Sequence, residues 1–327
     1  MKKPVVVVTH KLPAVIEVRM KELFDAHLNA ADTPMPADEI IAACDGADVL
    51  VPTVTDSIDA DLIGKLPDSV RLIANFGVGI NHIDCAAADA RGITVTNTPG
   101  VLTDDTADLT IALLVSVPRR LVEGAQLARA GGWKGWRPTF MLGHRVNGKR
   151  LGIVGMGRIG QAVAKRARGF DIQVHYHNRN RVHQAIEEEL EATWWESLDE
   201  MLEHVDLLSI HCPLTPDTTN LMSAERLDRL PPHAVIVNTA RGGIIDEDAL
   251  AERLASGRLA GAGLDVYANE PEIHPKLLEL DNVVAVPHLG SATHEGRVAM
   301  GEKVVMNVKA FADGHALPDR VLIGVDV

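Results

Sequence analysis

Short apolar runs alternate with stretches of helical periodicity through the first part of the chain. The runs at 4–9, 49–52, 72–75 and 93–96 are too short for helices and rich in Val, Ile and Leu, so they predict buried strands. Between them, apolar positions recur at helical spacing over 15–26, 37–44, 59–65 and 83–90. Strands alternating with helices predict a parallel sheet covered on both faces. Pro99-Gly100 punctuates the chain, and a long helical pattern then runs from 103 to about 130, with a kink predicted at Pro118. Residues 131–143 break the periodicity with a glycine-rich excursion carrying Trp133, Trp136 and Phe140. A second series of strands is predicted at 151–154, 172–176, 207–211, 234–238, 261–265 and 283–287, and a last amphipathic helix at 293–313.

The simplest home for that last helix is back on the first domain. The expected architecture is therefore α/β, a Rossmann nucleotide-binding domain (101–289) inserted into a smaller flavodoxin-like α/β substrate domain built from 1–100 and 290–327. A cleft between two such domains is the expected place for an active site.

The strand 151–154 runs into Gly155-Met156-Gly157-Arg158-Ile159-Gly160, and Ile159, Ala162, Val163 and Ala167 then mark one face of a helix. This strand–glycine–helix order is the dinucleotide-binding fingerprint. Gly155 permits the tight turn, Gly157 a close approach of pyrophosphate, and Gly160 close packing of the helix on the sheet. The helix N-terminus adds unsatisfied N–H groups and a partial positive charge. About 20 residues on, NAD-binding units place an acid that accepts from the ribose hydroxyls. Here the second strand ends in His177-Asn178-Arg179-Asn180-Arg181 instead. A carboxylate would repel a 2′-phosphate and a guanidinium binds one, so the turn predicts NADP(H) in preference to NAD(H), with weaker use of NAD(H) left open.

Composition narrows the partners. The net charge of −13 argues against a nucleic-acid groove and an anionic membrane surface, though not against local anion sites. Aromatic residues are 3% of the chain against 46% hydrophobic, so Val, Leu, Ile and Ala must build the core. Cys44, Cys85 and Cys212 are scattered without a ligand pattern, which predicts reduced thiols in a cytoplasmic protein. The apolar run 5–8 is too short for a secretory signal, and no stretch has the length of a membrane span. His175 and His177 share a strand face, but no third ligand is evident, so no metal is expected. Cys212 reads as a small residue beside a cofactor, His144, His204 and His233 as surface or capping groups, Trp194-Trp195 as the anchor of a helix start, and Glu187 to Glu189 as a solvated helix face.

Ligands of open α/β sheets bind at the carboxyl ends of the strands. The segments there are His211-Cys212-Pro213-Leu214, Asn238-Thr239-Ala240-Arg241-Gly242, Leu264-Asp265-Val266 and Pro287-His288-Leu289-Gly290, with Glu270-Pro271 just beyond. Hydride transfer to a 2-keto acid needs a cation to hold the carboxylate and polarise the carbonyl, and a group titrating near neutrality to protonate the nascent alkoxide. Arg241 and His288 meet those needs, and Glu270 is the candidate carboxylate to stabilise the imidazolium of His288.

These segments, in this order and over nearly the whole chain, resemble the D-isomer-specific 2-hydroxyacid dehydrogenase family. Asn75-Phe-Gly-Val-Gly-Ile-Asn-His-Ile-Asp84, Val95-Thr-Asn-Thr-Pro-Gly-Val-Leu-Thr-Asp104, Ala107-Asp-Leu and Trp136-Arg-Pro-Thr-Phe-Met-Leu-Gly143 are most similar to its glyoxylate/hydroxypyruvate reductases. The resemblance implies NADPH-dependent reduction of glyoxylate to glycolate and of hydroxypyruvate to D-glycerate, by a homodimer that pairs through the nucleotide domain. It implies Arg241 as the substrate-binding cation, His288 as acid/base, Glu270 as its tuning partner, and the backbone of Val78 and Gly79 as the carboxylate site. Cofactor contacts are implied at Thr106, Gly155 to Gly160 (Arg158 and Ile159 included), Thr239, Ala240, and Asp265 at the nicotinamide amide. Cys212, Pro213, Thr218 and Gly290 fall in the same set, and Asn178, Arg179 and Arg181 match the family's NADP-preferring turn.

Two other readings compete. One is an NAD-dependent member acting on larger 2-keto acids, decided by the pocket near 51–56 and opposed by the cofactor turn. The other is a non-catalytic dinucleotide-sensing regulator, opposed by the retention of all three catalytic candidates and the lack of an appended disordered region.

Overall fold

A computed structural model describes residues 3–31 and 33–322, which fall into two compact units, one made of the described residues up to Leu102 and from Thr293 on, the other Thr103–Ala292. The outer ends of the expected substrate domain, 1–2 and 323–327, lie outside the described residues.

In the first unit, strands β1 (Val5–Val8), β2 (Asp25–Leu28), β3 (Val49–Val51), β4 (Leu72–Ala74) and β5 (Thr94–Thr96) form a parallel sheet in the order β2-β1-β3-β4-β5. This is the flavodoxin-like order. Alternation along β1 splits the core into two layers. Val6 and Val8 pack with Ile16 and Met20 of the helix Ala14–Leu23 and with Met300, Val304 and Val308 of the helix His294–Ala312. Val7, on the other face, packs with Ile40, Leu62 and Ile63. The last helix starts where Thr293 accepts from the Gly296 N–H at 2.8 Å, and its apolar face completes this unit's core. The predicted helix 15–26 stops three residues early. Phe24 is extended, and 25–28 form the edge strand β2, pairing with β1 through Val5↔Asp25. An edge strand needs only one modestly buried face, so Asp25 and His27 hid it from a search for apolar runs.

The second unit has seven parallel strands: β6 (Arg150–Val154), β7 (Gln173–His177), β8 (Ala192–Trp194), β9 (Leu207–Ile210), β10 (Val235–Asn238), β11 (Gly261–Leu264) and β12 (Val283–Ala285). Their order is β12-β11-β10-β9-β6-β7-β8. Strands are added outward on one side of β6 up to β8, and then on the other side from β9. The crevice at the carboxyl ends of β6 and β9 is thus the topological switch point, where open α/β sheets bind ligands. Both faces are covered. Leu151, Ile153 and Tyr176 pack with Leu113, Leu114, Val163 and Ala167, while Ile210, Ile236 and Leu264 pack with Leu250 and Leu254.

Three expectations are corrected here. The long helix from 103 is two helices, Thr103–Ser116 and Leu121–Arg129, separated by a turn in which Arg120 takes φ +50°. Pro118 ends the first helix rather than kinking a continuous one. Trp194 lies on β8, paired Tyr176↔Trp194, not at a helix start. Glu187 is buried rather than solvated, its carboxylate accepting from Tyr176 Oη at 2.5 Å and from Arg181 at 2.8 and 2.6 Å. Among the described residues no helix is long and apolar enough to cross a membrane.

Candidate active site

The glycine turn is built by close approach. Gly155 sits at φ +102°, and a Cβ there would stand 2.5 Å from the Cys212 backbone nitrogen, so the ends of β6 and β9 can touch only through glycine. At Gly160 a Cβ would lie 2.2 Å from the Gly155 carbonyl oxygen, which is why the helix Arg158–Ala167 can lie directly on the turn. Above Gly157 nothing lies within 4 Å. Gly157 is the residue before the helix, and no side chain caps its first turn. An open backbone face and uncapped helical N–H groups are what a pyrophosphate requires, so this cradle fits a nicotinamide dinucleotide. Arg158 and Ile159 form the first turn itself.

The turn after β7 holds this cradle. Asn178 Oδ1 accepts from the Met156 N–H at 2.6 Å, so the residue standing where an acid is usual anchors the glycine loop. Arg181 already has an acidic partner. Its guanidinium is paired with both carboxylate oxygens of Glu187 and lies 5.4 Å over the Trp194 ring. That pairing, with the hydrogen bond from Tyr176, holds the Glu187 carboxyl down to about 2. A phosphate contact by Arg181 would have to share or displace this pairing with Glu187.

The other strand ends arrive as ordered loops. Burial pushes the Cys212 thiol up to about 11, which keeps it neutral. Thr218 Oγ1 donates to the Pro213 carbonyl at 2.6 Å and shapes the loop after β9. After β10, Thr239 and Thr110 share a hydroxyl–hydroxyl bond of 2.9 Å, and the Ala240 N–H donates to Asn238 Oδ1. Asp265, fully buried after β11, accepts from the N–H groups of Leu289 and Gly290. Thr106 Oγ1 donates to the Gly290 carbonyl at 2.9 Å. Asp265 therefore fixes the residues that follow His288. Its carboxyl is raised by burial against the pull of those N–H groups and of the His288 charge.

The charged trio lies in this same unit. His288, at φ +53°, places Nδ1 2.7 Å from Glu270 Oε2. A carboxylate can only accept, so Nδ1 carries a proton and Nε2 is the nitrogen left for chemistry. Burial alone would raise Glu270, but the His288 bond, the His288 charge and the Tyr267 N–H outweigh it and hold its carboxyl below the ordinary range. Arg241 is pushed down by burial, partly offset by Glu270, and remains cationic. The loops that carry them are packed backbone to backbone. A Cβ on Gly242 would fall 1.9 Å from the Tyr267 carbonyl carbon. Glu247, which the sequence reading passed over, accepts from the Ala268 N–H at 2.8 Å and steadies the approach to Glu270.

In the first unit, Val78 and Gly79 lie in the loop after β4. Asparagine side chains donate to the carbonyls of Gly77, Val78 and Gly79. Asn75 and Asn97, the donors, were not among the sequence candidates, although each stands at the end of a strand beside a glycine or proline turn.

A cradle at the switch point and a carboxylate–imidazole–guanidinium set at neighbouring strand ends define a nicotinamide-dependent oxidoreductase. The family model for the NAD-binding domain of D-isomer specific 2-hydroxyacid dehydrogenases matches residues 111–290. A glyoxylate reductase of Thermococcus litoralis is 42% identical over 98% of this chain and 97% of its own length. One from Korarchaeum cryptofilum is 44% identical over 98% and 96%. Among solved structures, the NADPH-dependent glyoxylate/hydroxypyruvate reductase of Sinorhizobium meliloti, in complex with NADP and malonate, superposes with a TM-score of 0.87 at 34% identity, covering 98% of this chain and 97% of that one. The chain belongs to the D-isomer specific 2-hydroxyacid dehydrogenase family, oxidoreductases that act on the CH–OH group of 2-hydroxy acids.

Proposed function

We propose that this protein reduces glyoxylate to glycolate and hydroxypyruvate to D-glycerate, with NADPH preferred over NADH. The observation that carries the chemistry is the 2.7 Å bond from His288 Nδ1 to Glu270, which leaves Nε2 as the proton donor. A reduced nicotinamide, when bound, supplies the hydride. Arg241 then holds the keto acid and polarises its carbonyl, and His288 Nε2 delivers the proton to the carbonyl oxygen as negative charge grows there. Glu270 stabilises the imidazolium that gives up that proton. The N–H groups of Val78 and Gly79 bind the substrate carboxylate. On this reading 101–289 is the dinucleotide domain, and 1–100 with 290–327 is the substrate domain. The small substrates are supported by the names of the relatives, and NADPH by the Sinorhizobium complex and by the absence of an acid at Asn178.

The test is initial-rate oxidation of NADPH and NADH with glyoxylate, hydroxypyruvate, pyruvate and a branched 2-keto acid. Arg179→Ala should raise the NADPH KM selectively, one charge-assisted contact being worth about 1.5–3 kcal/mol. Arg181→Ala should leave the NADPH-to-NADH ratio nearly unchanged. Equal use of both cofactors by the parent, or preference for the branched acid, refutes the assignment.

We also infer a symmetric homodimer formed through the second unit. The helix Leu121–Arg129 buries none of its residues, and Trp133, Trp136 and Leu142 are 60%, 80% and 65% exposed. In a chain so poor in aromatics, this apolar surface is costly to leave in water and fits a partner copy.

A further inference from the structure

We propose that Asn97 and Asn75 are positioning residues that aim the backbone N–H groups of Val78 and Gly79 at the substrate carboxylate; this rests on the carboxylate site proposed above. A trans peptide is planar, with its C=O and N–H pointing in opposite directions. Whatever holds the Gly77 carbonyl therefore sets the direction of the Val78 N–H, and whatever holds the Val78 carbonyl sets that of Gly79. The Gly77 carbonyl accepts from Asn75 Nδ2 at 3.0 Å and from the Thr98 N–H at 3.0 Å. The Val78 carbonyl accepts from Asn97 Nδ2 at 2.8 Å. Asn75 Nδ2 also reaches the Gly79 carbonyl at 3.0 Å. Three successive carbonyls are thus drawn toward the sheet, and their amides are turned away from it.

Both asparagines are themselves fixed. Asn75 is buried, and its Oδ1 accepts from His82 Nε2 at 3.0 Å. Asn97 is held through its own N–H by the Asp319 carbonyl at 3.2 Å, and Asp319 is in turn gripped by Lys303 at 2.6 Å and Asn307 at 2.9 Å. The segment after the last helix thereby reaches the carboxylate loop through one side chain. A loop rich in glycine would sample many peptide orientations unaided, and these bonds remove that freedom before substrate arrives.

Asn97→Ala and the isosteric Asn97→Asp, neither able to donate to the Val78 carbonyl, test the idea. We expect the KM for glyoxylate and the Kd for oxamate to rise about fivefold to tenfold, the loss of about one hydrogen bond. At saturation kcat should stay within about twofold, and the Kd for NADPH should not move. Amide exchange across residues 76–80 in the unliganded protein should accelerate. Gly79→Pro, which deletes one of the proposed carboxylate donors, separates the two ideas. If it weakens oxamate while both Asn97 variants, folded by their melting curves, bind oxamate as the parent does, the positioning role is overturned and the carboxylate site stands. If Gly79→Pro leaves oxamate binding unchanged, the carboxylate site itself is wrong and the inference goes with it.

Discussion

Gly160→Ala sets two effects of known size against each other. The residue lies in the helix Arg158–Ala167, where alanine is preferred to glycine by about 1 kcal/mol, so propensity alone predicts a stabilised protein. The added Cβ, however, would stand 2.2 Å from the Gly155 carbonyl oxygen, against 3.4 Å for the start of ordinary contact. The obstacle is backbone, which cannot rotate aside, and Gly155 is pinned in turn against Cys212. The helix must therefore move by about 1 Å, an overpacking cost of about 1–3 kcal/mol. The balance is a net loss of about 0–2 kcal/mol, or a fall in Tm of up to about 8 °C for a unit of this size. The displaced end is the one that presents N–H groups to the pyrophosphate. Loss of one charge-assisted bond there raises the Kd for NADPH about tenfold or more. Denaturant unfolding and nicotinamide fluorescence titration read the two effects separately. Gly169→Ala is the control, since nothing lies within 4 Å of its Cβ position, and it should leave both measurements near the parent's. A Gly160→Ala protein as stable as the parent, with the same affinity for NADPH, would refute the close-packing account of the cradle.

His288→Ala should lower kcat by about 10²–10⁴, the range for losing a general acid, with NADPH affinity nearly intact; near-normal turnover in stopped-flow assays removes His288 from the mechanism. Glu270→Gln removes the charge facing His288 Nδ1 at 2.7 Å and should lower kcat for keto-acid reduction while the Kd for NADPH stays near the parent's; unchanged turnover contradicts the pairing. The Glu187 carboxyl, held at about 2, contributes stability that is fully present above its unfolded value of about 4.3 and is lost as pH falls toward 2. The Tm gap between parent and Glu187→Gln should therefore be open at pH 7 and close between about pH 4 and 2, and a gap independent of pH argues against the Arg181–Glu187–Tyr176 clamp. Sedimentation should show a dimer of the 35.2 kDa chain, and Trp136→Ala should raise the keto-acid KM; a fully active monomer overturns both.

What was legible in the sequence was whatever depends on a pattern within one segment. Leu151 to Val154 followed by spaced glycines and a helical face predicted a strand entering a tight turn, and the close approaches at Gly155 and Gly160 give the physical reason for the glycines. The last helix, expected over 293–313, runs from His294 to Ala312, because a 19-residue amphipathic run leaves little room for another reading. The failures occur where a residue's role depends on a distant partner. β2 and β8 are edge strands with one poorly buried face, and neither carries an apolar run. Glu187 sits in an acidic run that looks solvated, and only the folded sheet brings Tyr176 and Arg181 to it. Arg181 lies two residues from Arg179 and is chemically identical to it. Its clamp on Glu187 is a contact that the residue type alone does not announce.

The same distinction runs through the binding surfaces. Of the contacts proposed for the ligands, several belong to main-chain N–H groups, at the helix after Gly157 and at Val78 and Gly79, and a main-chain donor has no residue identity to read. Its direction is set by side chains bonded to the backbone around it: Asn178 on Met156, Asp265 on Leu289 and Gly290, and Asn97 on Val78. Each is a short polar residue that stands at or just after the end of a strand and bonds backbone rather than another side chain. Such residues are places where substitution should alter affinity through the direction of a main-chain N–H, as argued for Asn97. In a dehydrogenase of this kind, Asn and Asp at strand ends therefore carry information about the site that a search for charged catalytic groups passes over.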